Sequence, residues 1–299
     1  MVKIEQLLIE NFFKSMDQYS AEFMEGYKFP LALKKKITNF LKSSFNDENS
    51  YCSFSVKNGQ VEKFILARSA ADIGGNLIAI SHFHFKDVPS KQELNKVIQS
   101  IMDFFPSLNS IVIGVSPSDK KVTRILKGNK FFIAANEFIG KTSDGIRYLE
   151  KTEKTSDVLI REMKFKRDID SVLKIERRAH KEDGSSRIQS YSKKLQIEMK
   201  SHYQKMAKLG TAFVATKNEK VIGAVGSYPN GKLSLIATIV VDPKSQGQGV
   251  SKKLYLRALK DLEGRRSTFY KGQTTTSNVL AMGKKMKRKI GTIYFRKDY

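Results

Sequence analysis

Hydrophobic positions recur every three or four residues over the first 45 residues, which predicts two helices, the second at Leu31–Phe45. From Tyr51 onward the apolar positions alternate instead, and the turn pair Asn58-Gly59 is typical of a hairpin. The pattern up to residue 150 predicts strands at Tyr51–Val56, Val61–Ala67, Leu77–Phe85, Ser110–Val115, Lys130–Ile139 and Ile146–Glu150, and helices at Ser90–Phe105 and Asp119–Leu126.

A stretch without any apolar residue, 151–157, predicts a boundary between a domain at 1–150 and a domain at 151–299. Beyond this stretch, the helical repeat of apolar positions and the strand-like alternation both return. They predict strands at Val158–Met163, Ala212–Thr216, Val221–Tyr228, Lys232–Val241, Ser267–Lys271 and Thr292–Phe295, and helices at Asp168–Ala179, Ser190–Leu209, from Gly249, and from Ser277.

The order of elements in residues 77–150 is nearly that of residues 232–299. We therefore expect an α/β protein built from two related folds in tandem. Each is expected to be a mixed, largely antiparallel sheet flanked by helices.

The net charge of +24 is concentrated in the second half of the chain. Residues 1–150 hold 20 basic and 16 acidic residues, whereas residues 151–299 hold 34 and 14. This asymmetry favours an anionic partner such as nucleic acid, bound near the basic run Lys284–Lys289. A solvated face that keeps the protein soluble is the alternative.

The single cysteine, Cys52, cannot form an intramolecular disulfide, and no run of about 18 or more apolar residues could cross a bilayer. We expect a cytoplasmic protein that does not bind membranes. His82 and His84 alternate in one predicted strand, but no third ligand has a recognisable spacing, so no metal site is predicted.

An apolar strand ending at Val241 leads through Asp242-Pro243 into a glycine-bearing turn, Gln246-Gly247-Gln248-Gly249-Val250-Ser251, and then into a helix. The two glycines allow positive φ and close approach of a ligand. The unpaired amides at the start of the helix, with the positive end of its dipole, suit a pyrophosphate.

This turn resembles the signature of the GNAT superfamily of N-acetyltransferases, in which Arg or Gln precedes Gly-x-Gly or Gly-x-Ala. Ser251 departs from the usual final Gly or Ala but is small. The resemblance extends over about residues 157–299 and includes Glu176, Arg178, the segment Val221–Ala224, Asn278 and Ala281.

The resemblance implies an acyl-CoA-dependent N-acyltransferase that uses acetyl-CoA as co-substrate and transfers its acyl group to a primary amine. The pyrophosphate would bind from Gln246 to Lys252, including Gly247, Gln248, Gly249, Val250 and Ser251. The pantetheine arm would follow Ile239, Val240 and Val241, with Asn278 on its other side. The first half resembles the same fold without this site, because Lys86–Glu93 holds no glycine.

The resemblance also implies a glutamate near the fourth strand as base and a tyrosine in the fourth helix as acid. Neither is evident: the strand has no carboxylate before Asp242, and the expected tyrosine position falls near Lys285. Tyr270 and Tyr294 remain candidates for the proton donor. Two alternatives therefore stay open, a GNAT-fold transferase that uses charged tRNA and a nucleic-acid-binding or sensing protein without turnover.

Overall fold

The computed structural model describes residues 2–72, 75–152, 157–182, 193–274 and 277–299. The chain forms two compact units, the first comprising Met1–Glu137 with Ile290–Tyr299 and the second Phe138–Lys289. These bounds differ from the predicted division at 150/151, because a helix before residue 151 packs in the second unit and the last strand belongs to the first.

The first unit follows the predicted order of helices and strands closely. Its elements are α1 (Val2–Phe23), α2 (Leu31–Phe45), β1 (Ser50–Lys57), β2 (Gln60–Asp72), β3 (Gly75–Phe85), α3 (Lys91–Phe104), β4 (Ser110–Val115), α4 (Lys120–Gly128) and β5 (Phe132–Lys141). The predicted hairpin is confirmed, since Asn58 and Gly59 between β1 and β2 have φ of 51° and 72°.

The chain enters the second unit within β5 and leaves it at the start of the final strand. The remaining elements are α5 (Thr142–Lys151), β6 (Leu159–Glu162), α6 (Phe165–Glu182), α7 (Lys193–Lys208), β7 (Ala212–Lys217), β8 (Lys220–Tyr228), β9 (Leu233–Val241), a 3-10 turn (Pro243–Ser245), α8 (Val250–Gly264), β10 (Phe269–Thr274), α9 (Ser277–Lys285) and β11 (Lys289–Asp298).

The strand predicted at Ile146–Glu150 is wrong, because this segment is the second half of α5. Ile146 and Leu149 are three residues apart and both are buried, which is a helical repeat. Gly145 lets the helix lie close to α8: a Cβ built on Gly145 would stand 2.6 Å from the Leu259 side chain.

Both units contain the same run of two helices, three antiparallel strands, a helix and a parallel strand. The sheet order is β1-β2-β3-β4-β11 in the first unit and β10-β9-β8-β7-β6 in the second. β3 pairs in parallel with β4, as β9 does with β10, and the other described pairings are antiparallel. The predicted α/β tandem architecture is therefore confirmed.

The sheet of the second unit is covered on both faces. α8 packs on one face through Leu254 and Leu259, and the helix pair α6 and α7 packs on the other through Val172 and Tyr203. Strand β9 lies between these layers, so its alternating side chains face opposite helices.

Candidate functional site

Strand β9 diverges from its parallel neighbour β10 after the first three of its nine residues. The two strands pair only over Leu233–Leu235 and Phe269–Lys271. A register shift follows at once on the other side of β9, where Gly226 and Ser227 of β8 face Thr238 and Ile236. Ala237 is therefore the extra residue of a β-bulge, a feature that bends strands and is common beside active sites.

The glycine-bearing turn connects the end of β9 to α8. Gly247 and Gly249 have φ of 76° and 81°, so both occupy the left-handed region that favours glycine. Gly249 is the N-cap of α8 and provides no side-chain cap. The amides of Lys252 and Lys253 donate to the Gly249 carbonyl at 3.1 and 3.2 Å. The amides of Val250 and Ser251 precede these first hydrogen bonds of the helix.

A cleft of about 460 Å³ opens beside this turn. Its wall combines one β9 residue with parts of the turn and of three helices, α5, α8 and α9. The lining residues are Tyr148, Leu149, Thr152, Ile239, Gly247, Gln248, Gly249, Ser251, Lys252, Lys253, Tyr255, Leu256, Val279, Ala281, Met282 and Lys285.

Six residues of the predicted coenzyme site line this cleft, namely Ile239, Gly247, Gln248, Gly249, Ser251 and Lys252. The side chains of Val240 and Val250 are instead buried in the core, and Val241 packs against the α8 layer. Gln246 is exposed at the end of the 3-10 turn. The side chain of Asn278 lies outside the described residues.

Residues of the cleft that sequence reasoning missed come mostly from helices α5 and α9. The sequence pattern predicts a strand for the segment that contains Tyr148 and Leu149, and α5 precedes the segment that resembles GNAT proteins. Tyr148, Leu149 and Thr152 are therefore absent from the predicted site. The sequence places Lys285 in the basic run and near the position where a tyrosine is expected, without assigning it to the coenzyme site. The helical spacing of Ile146 and Leu149 was the available signal for α5.

Three lysines give the cleft a positive charge, since Lys252, Lys253 and Lys285 all line it. The basic run Lys284–Lys289 is not one exposed surface. Within it Met286 and Arg288 are buried, with exposed fractions of 0% and 7%. Its charge is therefore partly internal to the fold.

The buried guanidinium of Arg288 contacts two residues that line the cleft. It stacks 3.8 Å from the centroid of the Phe138 ring and donates hydrogen bonds to the Tyr255 hydroxyl at 3.2 Å and the Val279 carbonyl at 2.6 Å. Burial raises the pKa of Tyr255 to about 12, an effect that Arg288 opposes.

The two tyrosines predicted as proton donors occupy different units. Tyr270, on β10, has no exposed surface, and its burial raises its pKa well above the ordinary value. Tyr294 belongs to β11 in the first unit, where it pairs with Gly114.

A buried carboxylate lies on the opposite face of β9. Glu176 of α6 accepts hydrogen bonds from the Tyr203 hydroxyl at 2.7 Å and the Thr238 hydroxyl at 3.1 Å. Thr238 follows the bulge at Ala237 and precedes the cleft residue Ile239. Glu176 belongs to the sequence resemblance to GNAT proteins, from which no role is predicted for it.

The first unit repeats this backbone geometry with different chemistry. Pairing of β3 with β4 ends at Ile80, and Ser81 is the extra residue of a bulge. Helix α3, which follows, has a side-chain N-cap, because the Ser90 side chain accepts a hydrogen bond from the Glu93 amide at 3.1 Å. The start of α3 is therefore capped from within, unlike that of α8.

His82 and His84 lie just beyond the first unit's bulge and share one partner. Their Nε2 atoms are 3.3 Å from the side-chain oxygen and nitrogen of Asn11. In the described parts of the chain, no group of three or more His, Cys, Asp or Glu side chains could hold a metal ion. Within the same ranges, no helix combines the length and apolar character needed to cross a membrane.

Comparisons with known proteins bear on the second unit and on the fold. Residues 171–283 match the model of the acetyltransferase (GNAT) family. No curated protein sequence matches the chain.

Among solved structures, a GCN5-related N-acetyltransferase from Sphaerobacter thermophilus is 8% identical with a TM-score of 0.60, over 89% of this chain and 85% of that one. A tandem GNAT protein from the clavulanic acid biosynthesis pathway is 9% identical with a TM-score of 0.55, over 99% and 94%. At such low identity these similarities concern the fold. The chain therefore has the fold of tandem GNAT proteins, and its residues 171–283 match the model of the GNAT acetyltransferase family.

Proposed function

We propose that the second unit is an acyl-CoA-dependent N-acyltransferase, with acetyl-CoA as donor and a primary amine as acceptor. The observation that carries the proposal is the open start of α8 at Gly249, with φ of 81°, facing a cleft beside the diverging strand β9. The match of residues 171–283 to the GNAT family model supports the same reaction class.

The turn and the lysines around it suit the anionic end of coenzyme A. The amides of Val250 and Ser251 precede the first helical hydrogen bonds and are available to pyrophosphate oxygens. Lys252 and Lys253 line the same cleft and add positive charge for the phosphates.

The pantetheine arm would bind along the edge of β9 beyond Leu235, where pairing with β10 has ended. Its amides can hydrogen-bond to a strand edge as an added strand does. The half-buried side chain of Ile239 lines the cleft at this level and provides an apolar contact for the arm.

Glu176 is our candidate for the base. In the proposed step, the amine nitrogen forms a bond to the thioester carbonyl carbon and loses a proton to the Thr238 hydroxyl oxygen. The Thr238 hydroxyl passes its own proton along the 3.1 Å hydrogen bond to Glu176. The carbon–sulfur bond then breaks, releasing the thiolate.

Lys285 is our candidate for the proton donor to that thiolate. Its side chain lines the cleft, at the position where the family resemblance places a tyrosine. A lysine ammonium can stabilise the leaving thiolate and protonate it, and the proton held by Glu176 restores the balance through solvent. Tyr270, which is fully buried, is poorly placed for this role.

The family assignment does not favour the alternative of a nucleic-acid-binding protein without turnover. Two of the six residues in the basic run Lys284–Lys289 are buried, and Lys285 lines the cleft. Part of the charge that suggested a polyanion is thereby explained by the burial of Arg288 and by the proposed role of Lys285 as proton donor.

The direct test is acyl transfer from acetyl-CoA to a panel of primary amines, with free thiol measured alongside the mass of the acceptor. We expect thiol release that equals acceptor acetylation and that falls in Lys285→Ala, while the exposed control Lys284→Ala keeps the rate. Thiol release that is independent of every amine would contradict the proposal.

A further inference from the structure

The cleft has one wall that the matched family segment does not contain. Helix α5 precedes residue 171, where the family match begins, yet Tyr148, Leu149 and Thr152 at its end line the same cleft as the glycine-bearing turn. This wall therefore comes from a helix that lies ahead of the matched segment.

Helix α5 is held firmly against α8. Leu149 is 1% exposed within the core, and Glu150 forms an ion pair of 2.8 Å with Lys260 on α8. The close approach at Gly145 fixes the distance between the two helices. The side chains at the end of α5 are therefore presented to the cleft from a rigid element.

Tyr148 is half-buried and lies beside the turn that would hold the pyrophosphate. The ammonium of Lys252 stands 5.9 Å from the centroid of the Tyr148 ring. A flat aromatic face next to a phosphate-binding cation, in an open cleft, has the chemistry that recognises a nucleotide base joined to phosphate.

We propose that Tyr148 stacks on the adenine of coenzyme A and makes the enzyme select coenzyme A thioesters over thioesters of phosphopantetheine alone. This inference rests on the proposed function, because it takes the cleft as the coenzyme A site. Lys252 sits between the two parts of the ligand, close enough to the ring to hold the phosphates beside the stacked base.

Base stacking on an aromatic side chain changes affinity by roughly five- to 150-fold when the ring is removed. Phosphopantetheine lacks the nucleoside and cannot use this contact. Adenosine 3′,5′-bisphosphate carries the nucleoside without the pantetheine arm. The two fragments therefore separate stacking at Tyr148 from binding along β9.

The experiment is calorimetric titration of coenzyme A, adenosine 3′,5′-bisphosphate and 4′-phosphopantetheine into the wild type and three variants. Tyr148→Ala should bind the first two ligands roughly five- to 150-fold more weakly and keep its affinity for phosphopantetheine. Tyr148→Phe should bind all three like the wild type. Arg147→Ala, an exposed neighbour on α5, should do the same and controls for damage to the helix.

Equal weakening of all three ligands in Tyr148→Ala, or unchanged affinity for coenzyme A, would overturn the stacking role while leaving the proposed function intact. Equal affinity of the wild type for coenzyme A and phosphopantetheine would likewise overturn the stacking role and leave the proposed function intact. Failure of the wild type to bind coenzyme A at all would instead overturn the proposed function, and this inference with it.

Discussion

The Thr238 hydroxyl donates a 3.1 Å hydrogen bond to the carboxylate of Glu176, across the layer between β9 and α6. The Tyr203 hydroxyl donates to the same carboxylate at 2.7 Å. The first unit has a different pair at the matching place, since His82 beyond its bulge contacts Asn11 of α1. The residue after the bulge therefore contacts a carboxylate in the second unit, which carries the cleft, and an amide side chain in the first.

Replacing Glu176 with Gln should lower kcat by roughly a hundredfold and leave the KM for acetyl-CoA unchanged, because a proton acceptor is lost without changing the cleft. Thr238→Val should have a similar effect, since it breaks the relay. Steady-state kinetics over a range of pH measures both.

Tyr203→Phe is the matched control for this prediction. It removes a hydrogen bond to the same carboxylate but keeps the one from Thr238, so kcat should stay within a few-fold while stability falls by about 1 kcal/mol. Wild-type kcat in both Glu176→Gln and Thr238→Val would rule out the relay.

The buried guanidinium of Arg288 should be needed for the stability of the second unit. Arg288→Met removes the donors to Tyr255 and to the Val279 carbonyl, and we expect a loss of about 2–4 kcal/mol in the free energy of unfolding. Chemical denaturation measures it. The exposed Lys284→Ala should change stability by less than about 0.5 kcal/mol, and a similarly small loss for Arg288→Met would contradict this account.

The last strand should stabilise the first unit. Phe295 of β11 has no exposed surface and packs in that unit's core, so Phe295→Ala should cost about 3–5 kcal/mol. Hydrogen exchange should show lost protection in β3 and β4, with β8 and α8 little changed. The reverse pattern would place β11 with the second unit, and Phe54→Ala, at a 44% exposed side chain, serves as control.

Acid should destabilise the first unit through His82. Burial lowers the pKa of His82 to about 3 from its ordinary 6.5, so the unfolded chain binds its proton more readily than the folded chain. Stability is therefore full above pH 6.5 and decreases as the pH falls toward 3, by at most about 1.4 kcal/mol per pH unit.

His82→Phe keeps an aromatic ring between Phe12 and Phe64 and should flatten this pH dependence, as measured by urea denaturation at several pH values. His202→Asn, at an exposed position, should leave the dependence as in the wild type. An unchanged slope in His82→Phe would assign the acid sensitivity to other groups.

Local sequence signals predicted most of the fold and the glycine-bearing turn that lines the cleft. Gly247 and Gly249 are recognisable because positive φ next to a helix start needs glycine, and the hairpin at Asn58-Gly59 follows the same logic. Ser90, at the start of a predicted helix, accepts the amide of Glu93 as a helix cap does.

The features that sequence did not predict depend on long-range packing. Arg288 looked like part of an exposed basic run, and only the fold shows that it stacks on Phe138. The choice of β4 as the partner of β11 depends on strands that are about 180 residues apart in the chain, for which no local pattern exists. The bulge at Ala237 could not be predicted either, because alanine is not a distinctive residue for a bulge.

Titration of acetyl-CoA into the wild type and Gly249→Val tests the central claim most directly. Valine at a φ of 81° is strained and its side chain blocks approach to the start of α8, so affinity should fall on the order of a hundredfold. Gly264→Ala, in the same helix with open space around it, should bind acetyl-CoA like the wild type. No binding to the wild type, or equal affinity in Gly249→Val, would contradict the account.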